Sequence, residues 1–183
     1  MSEIMNEINF YSRKKEYGWL SNFHRCKQYI ETCDYPTNEH YYQSQKAKDG
    51  VTEMWIAQSP NPYLAMQAGR SLRKDKELKD NWDDIKVEIM LTGLRAKFKN
   101  HELRDNLIKT GNIILHEDSR TDMFWGNKGK DMLGKLLMQV RKELMTCKCG
   151  KPGKLQYDNG LSCGIHCDEC FEKMVSDCRK RSW

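Results

Sequence analysis

Pro36-Thr37-Asn38-Glu39-His40-Tyr41-Tyr42-Gln43-Ser44-Gln45-Lys46-Ala47 begins with a proline that stops an extended run, then offers two capping residues and continues as helix. Thr37 or Asn38 caps a helix predicted to run to about Asp49, where Gly50 ends it. On that helix Glu39, Gln43 and Lys46 stand at i, i+4 and i+7 and share one face. A carboxylate, an amide and an amine would project together, a set that suits proton and charge handling and equally an ordinary solvated stripe. Glu39 lies in the first turn, where the positive end of the helix dipole favours its ionised form.

Upstream, residues 8–11 alternate apolar and polar and read as a short strand, and residues 28–35 as a second one stopped by Pro36. Downstream, a short helix is predicted over 52–58, and Asn61-Pro62 restarts the chain as cap and first turn of a helix reaching Arg70. The helix over 83–98 carries Ile85, Ile89, Thr92 and Ala96 on one stripe, widened by Val87, Met90, Leu91 and Leu94. Residues 102–109 form another helix, closed by Gly111, and Ile113-Ile114-Leu115 reads as a strand. The last helix, over 130–144, buries Leu133, Leu136, Leu137, Val140 and Leu144. The expected fold is therefore mainly α with a few short β-strands. Strand and helix do not alternate, which excludes a doubly wound parallel sheet, and no glycine-rich phosphate loop is present.

The chain has 183 residues, enough for one full domain and a small appendage. With 38% hydrophobic and 31% charged residues it has a soluble, globular composition. No apolar run approaches the ~20 residues of a membrane helix. Residues 1–9 carry two acidic residues and no apolar stretch, which argues against a signal peptide and for a cytoplasmic protein. The net charge of +5 is mild and interleaved, favouring anionic ligands such as phosphates without marking a nucleic-acid binder.

Three further segments carry candidate chemistry. Ser119-Arg120-Thr121-Asp122-Met123-Phe124-Trp125-Gly126 is a polar, aromatic loop between a strand and a helix. Asp122 there suits a general acid or base, or a helix cap; Trp125 suits stacking on a planar ring, or packing. Tyr17-Gly18-Trp19-Leu20-Ser21-Asn22-Phe23 either faces a ligand or forms a turn with two core aromatics. Arg70, after Gly69 at a helix end, suits a phosphate or an ordinary surface.

In order, Ile8-Asn9-Phe10-Tyr11-Ser12, the Tyr17 and Pro36 segments, Ala68-Gly69-Arg70, Trp82, Leu94-Arg95-Ala96-Lys97-Phe98, Asp122 with Trp125-Gly126, and the run 134–141 resemble the NADAR family over residues 8–144. The resemblance implies a compact, mainly helical fold and hydrolysis of a bond between ribose C1′ and a nitrogen. The substrates it implies are ribosylaminopyrimidine phosphates of riboflavin synthesis, or ADP-ribose on guanine. Carried over motif by motif, it implies Glu39, Lys46 and Asp122 as catalytic residues. It implies Trp19, Ser21, Asn22, Phe23, Arg70, Trp82, Trp125 and Gly126 as the pocket. The implied partner is a phosphorylated ribosyl or ADP-ribosyl substrate, free or on nucleic acid, with no organic cofactor and no membrane. Residues 125–130 are shorter than the glycine-rich loop relatives often carry, which suits an open site. The alternative is a non-catalytic ADP-ribose or nucleotide-binding module with a zinc adaptor.

After Leu144 the composition shifts, dividing the chain into a NADAR-like domain, 1–145, and a cysteine-rich module, 146–183. Of eight cysteines, Cys26 and Cys33 lie early, and Cys147, Cys149, Cys163, Cys167, Cys170 and Cys178 crowd the end. Without a secretion signal such a cluster points to metal before disulfides. Cys147-Lys148-Cys149 and Cys167-Asp168-Glu169-Cys170 flank a hairpin turning at Asp158-Asn159-Gly160, as a tetrahedral structural zinc site requires. Cys163 or His166 are alternative ligands, and Cys178 is expected as a bystander on a closing helix over 171–179. A module of ~35 residues has too small a core to fold well unaided, so the metal supplies stability. The basic, aromatic end over 179–183 suits a nucleic acid, a partner or plain solvation. This tail resembles zinc modules of phage proteins, so a bacterial or phage-infected host cell is the expected setting.

Overall fold

The computed structural model describes residues 6–12, 14–158 and 161–180, with residues 155, 157–158, 161–163 and 180 described by their backbone alone. The chain forms two compact units, Met1–Met138 and Gln139–Trp183. Among the described residues there are seven α-helices and six short strands. None of those helices is long and apolar enough to cross a membrane.

In the first unit the centre is α1, Asn38–Ser44, capped by the Thr37 side chain, which accepts from the His40 amide. All seven of its residues are buried. Around it stand α2 (Gly50–Ala57), α3 (Pro62–Ser71) and α4 (Trp82–Lys97). Each start has a local cause. Asp49 accepts from the Val51 and Thr52 amides at the head of α2, and Asn61 accepts from the Leu64 amide with Pro62 in the first turn of α3. Asn100 caps α5 (His101–Lys109), which Gly111 closes at φ 55°.

The strand β1 (Glu7–Phe10) pairs in parallel with β4 (Ile114–Glu117), placing Phe10 opposite Glu117. Ile8, Phe10 and Leu115 are the buried side of this pair. β2 (Gln28–Ile30) and β3 (Cys33–Tyr35) form a hairpin. α6 (Met132–Leu144) begins against β4, and its Leu133, Leu136, Leu137 and Val140 are buried.

Several expectations shift. The single strand over 28–35 is two strands, turned at Glu31, which adopts φ 55°. The helix from Thr37 stops at Ser44, and Gly50 opens α2 rather than ending α1. Lys46 therefore lies beyond the helix, on a stretch whose Lys46 carbonyl accepts from the Lys79 amide at 2.9 Å and whose Lys48 amide donates to the Glu77 carbonyl at 3.1 Å. On α4 the buried stripe is Met90, Leu91, Leu94 and Lys97; Ile85, Ile89, Thr92 and Ala96 are only partly covered. The stripe turns because Lys97 finds carbonyl partners inside, donating to the Leu20 and Ser21 oxygens at 3.2 and 2.8 Å.

In the second unit β5 (Lys154–Asp158) and β6 (Leu161–His166) form the expected antiparallel hairpin, followed by α7, Asp168–Lys180. The turn residues Asn159 and Gly160 and the end over 181–183 lie outside the described residues.

A Cβ at Gly134 would overlap the Leu115 carbonyl oxygen, a backbone atom that cannot swing aside. Gly134→Ala is expected to destabilise the protein by about 1–3 kcal/mol through overpacking, despite alanine's better helix propensity, as read from chemical denaturation.

Candidate active site

The polar groups of α1 must find partners because water cannot reach them. His40 Nε2 lies 3.0 Å from the Ser59 carbonyl, so that nitrogen carries the hydrogen and donates. Nδ1 then accepts from the Thr37 hydroxyl at 2.8 Å. Burial lowers the His40 pKa, keeping the ring neutral. Asn38 donates to Asn22 Oδ1 at 2.9 Å, and the Asn22 carbonyl accepts from the Glu39 amide at 3.1 Å. The turn bearing Ser21 and Asn22, itself tied down by Lys97, is thereby fastened to the head of α1.

Toward the remaining side of α1 opens a cavity of about 200 Å³. Glu39, Gln43 and Lys46 line it from one direction, Asp122, Trp125, Thr121 and Ser119 from the loop after β4, and Arg70 and Met66 from α3. Asn22, Phe23, Tyr11, Tyr42, Met90 and Glu117 complete the wall. Gln43 Nε2 donates to Glu39 Oε1 at 2.7 Å, and the bare Cα of Gly69 leaves room for the Gln43 amide.

Burial raises the Glu39 pKa, opposed by the Gln43 hydrogen bond and by Lys46 and Arg70. Burial lowers the Lys46 ammonium to about 8, against the pull of Glu39. The Lys46 nitrogen lies 5.2 Å from the Tyr42 ring centre and 5.7 Å from that of Trp82, a cation–π cradle that orders the chain without rehydrating it. Asp122 is fixed differently. Its Oδ1 accepts from the Phe124 and Trp125 amides at 2.9 and 2.8 Å, and its own amide donates to Ser119 Oγ at 3.1 Å. Asp122 faces the cavity and closes a turn; the helix cap that the sequence also allowed is not formed, because residues 123–130 run through turns and a bend and α6 starts only at Met132.

Of the residues implied by sequence, Glu39, Lys46, Asp122, Asn22, Phe23, Arg70 and Trp125 meet at this cavity. The other four do not line it. Trp19 packs edge-on against Phe98 at 6.4 Å, because its ring is drawn to the end of α4. Ser21 faces a neighbouring cavity. Trp82 stands behind Tyr42, ring centres 5.2 Å apart. Gly126 permits the tight loop: a Cβ there would press on the Asp122 carbonyl and the Ser119 side chain at 2.7 Å.

Glu117 was missed. It ends β4 and is mostly buried at the cavity wall, and among the described residues its Oε2 has no hydrogen-bond partner. Its amide donates to Asp131 Oδ1 at 3.2 Å, and Asp131 also takes His116 Nδ1 at 2.6 Å. Burial, helped by the charges of Asp122, Glu39 and Asp131, pushes Glu117 up to about 8. Its place five residues before Asp122, at the end of a strand feeding the loop, was the only clue in the sequence.

In the second unit the sulfurs of Cys147, Cys149, Cys167 and Cys170 lie within 4.8 Å of one another, so these four could hold a metal ion. A tetrahedron with ~2.3 Å metal–sulfur bonds has edges of about 3.8 Å, and the Cys149–Cys167 separation is 3.6 Å. Backbone amides of Cys149 and Cys167 lower the Cys147 thiol, whereas the neighbouring thiols raise that of Cys170. Four such sulfurs ionise together only around a cation. His166 is not in the group, Cys178 is exposed on α7, and the Cys163 side chain lies outside the described residues.

The class is a mainly helical domain of one known family, as the comparisons show. The NADAR domain model matches residues 9–145, and the chain belongs to that family. It is 39% identical over 142 residues to the N-glycosidase YbiA of Escherichia coli, covering 75% of this chain and 88% of the relative. An N-glycosidase of Nostoc punctiforme is 39% identical over 145 residues, with coverages of 75% and 92%. A riboflavin biosynthesis protein of Vibrio vulnificus is 35% identical over 149 residues, covering 78% of this chain and 40% of that one. The NMR structure of E. coli YbiA superposes with a TM-score of 0.70 at 38% identity, covering 77% of this chain and 86% of that one. The family match ends before the four cysteines.

Glu117 sets a pH dependence of stability. From about 4.5, its ordinary value, up to about 8, the unfolded chain releases this proton while the folded chain keeps it. Its contribution therefore falls as pH rises through that window. Glu117→Gln removes the slope, so its melting temperature relative to the parent should climb between pH ~5 and ~8, as thermal denaturation across pH would show.

Proposed function

We propose that this protein hydrolyses the C1′–N bond of a phosphorylated ribosylaminopyrimidine of the kind that arises in riboflavin synthesis. The chain is an N-glycosidase by class, as its 39% identical relatives are named. The riboflavin connection rests on the name of the Vibrio relative. The observation that carries the reading to this chain is the convergence of Glu39, Lys46 and Asp122 on one cavity.

Breaking an N-glycoside places positive charge on C1′ and O4′ and negative charge on the departing nitrogen. The Glu39 carboxylate, held by Gln43, faces the space where that cation forms, stabilises it and takes a proton from the attacking water. Asp122 supplies a second negative charge, locked by two backbone amides. Arg70, exposed at the cavity edge, is placed for the substrate phosphate.

Two roles are open to Lys46. As an ammonium it stabilises the leaving group; as a free amine, which its lowered pKa makes accessible near neutrality, it attacks C1′ of an opened ribose and forms a Schiff base. Borohydride in the presence of substrate separates them: a covalent adduct on wild type that Lys46→Arg lacks supports the amine route.

Glu39→Ala is expected to lower turnover by about 100-fold or more while its melting temperature stays near that of the parent. The assay follows free sugar phosphate released from ribosylaminopyrimidine phosphate, with ADP-ribosylated guanosine DNA as the comparison substrate. Tight binding of both without turnover would instead favour a nucleotide-binding module.

Zinc is the ion we assign to the four cysteines, with a structural role, since all four positions are protein thiolates and none is left for water. Reduced, metal-holding thiols fit a cytoplasmic setting. Purified protein should contain one zinc per chain by elemental analysis. Cys170→Ser should lose it and melt the hairpin unit at lower temperature, with little change in glycosidase turnover.

A further inference from the structure

Beside the catalytic cavity lies a second one, of about 380 Å³, lined by Tyr11, Ser12, Ser21, Phe23, Asn61, Pro62, Tyr63 and Glu117. Tyr11, Phe23 and Glu117 belong to both, so the two cavities share a wall. Their linings differ in chemistry. The first gathers Glu39, Lys46, Arg70 and Asp122, whereas the second sets Tyr11, Phe23, Pro62 and Tyr63 beside Ser12, Ser21 and Asn61, with Glu117 its one charged-type group. The first alone falls below the ~300–1,000 Å³ typical of small-molecule sites; the two together fall inside that range.

A ribosyl-heterocycle has the same two-part character: a charged sugar phosphate and a flat, weakly polar ring. The scissile C1′–N bond lies where the two parts join. Resting on the N-glycosidase reading, we infer that the second cavity is the leaving-group subsite: it takes the planar nitrogen heterocycle against Tyr11, Phe23 and Tyr63, and the Glu117 carboxyl at the junction delivers the proton to the departing nitrogen.

Three observations favour Glu117 over the other carboxyls as the acid. Gln43 Nε2 is committed to Glu39 Oε1, and the Phe124 and Trp125 amides are committed to Asp122 Oδ1, so both of those carboxyls are already held by donors. Among the described residues, Glu117 Oε2 receives no donor. The parallel pairing of β1 with β4 ends with Phe10 opposite Glu117, which brings the next residue, Tyr11, to the same rim. Burial among three acidic neighbours keeps the proton on this carboxyl at neutral pH, consistent with its geometry. In the step, the C1′–N electron pair leaves with the nitrogen, which receives the Glu117 proton. Water adds to C1′ and gives a proton to Glu39, and exchange with solvent resets both carboxyls. The sum is substrate plus water to sugar phosphate plus free heterocycle.

The test has a binding arm and a kinetic arm, both on the full chain. In the first, free diaminouracil, a planar aminopyrimidine without ribose, and ribose phosphate are titrated separately by calorimetry. Tyr63→Ala should weaken diaminouracil about tenfold and leave ribose phosphate unchanged. In the second, Glu117→Gln should lower kcat on ribosylaminopyrimidine phosphate about 100-fold at an unchanged melting temperature near pH 5, where the parent carboxyl is also neutral. The parent's kcat/KM should fall above pH ~8 as Glu117 and Lys46 both lose their protons, and in Glu117→Gln only the Lys46 part should remain, so the fall becomes shallower. Full kcat in Glu117→Gln would overturn the proton role, and unchanged diaminouracil affinity in Tyr63→Ala would overturn the subsite. If the parent cleaves no ribosyl substrate, the N-glycosidase reading and the proton role fall together, and the binding arm alone decides the subsite.

Discussion

The structure depends on burying a polar helix. All of α1 is inside, and Asn38, Glu39, His40, Gln43 and Ser44 go in with it. Each such group taken from water costs several kcal/mol unless a partner replaces the water. Some of those partners lie within α1, the Tyr41 carbonyl for Ser44 and Gln43 for Glu39, and others flank it, Thr37 and Ser59 for His40 and Asn22 for Asn38. Gly69 and Gly93 have no side chain because Gln43 on one side, Asn38 and Tyr41 on the other, occupy the space a Cβ would need. The helices around α1 are thus placed by hydrogen bonds and by close approach as much as by apolar packing.

The same burial makes α1 reactive. A carboxylate and an amine at one dry wall are each pushed toward neutrality, which raises Glu39 and lowers Lys46. The parallel strands β1 and β4 end beside that wall, delivering Tyr11 from one and Glu117 and the Asp122 loop from the other. A charged half and an aromatic half of the site therefore come from different parts of the chain and meet along one seam. The cysteine unit has its own logic: a two-stranded hairpin and a helix have little core, and four thiols brought within metal-binding reach compensate for it.

Much of the local structure was legible. Thr37 and Asn61 cap where a short polar side chain precedes a helical pattern, since a cap needs only residues within three positions. The Cys-x-Cys and Cys-x-x-Cys pairs brought together by a hairpin were legible for the same reason. Lys46 was placed on a helix because nothing within the segment announces that residues 77–79 will capture its backbone. Lys97 was not expected in the core, as a lysine is buried only when distant carbonyls, here those of Leu20 and Ser21, receive it. Trp19 and Trp82, implied as pocket residues, support the site from behind, where aromatic packing draws them.

By itself, then, the sequence determined the element types, the family, the cysteine pairs and the identity of Glu39, Lys46 and Asp122 as residues to watch. Those rest on short-range signals: caps, periodicity and motifs whose residues are neighbours in the chain. Only the tertiary structure decided that Lys46 leaves the helix yet still meets Glu39, that Asp122 both closes a turn and faces the cavity, and that Glu117 joins them. These depend on which distant backbone and side-chain groups fill the space around a buried polar helix. That is settled by where water is excluded, which no local pattern records.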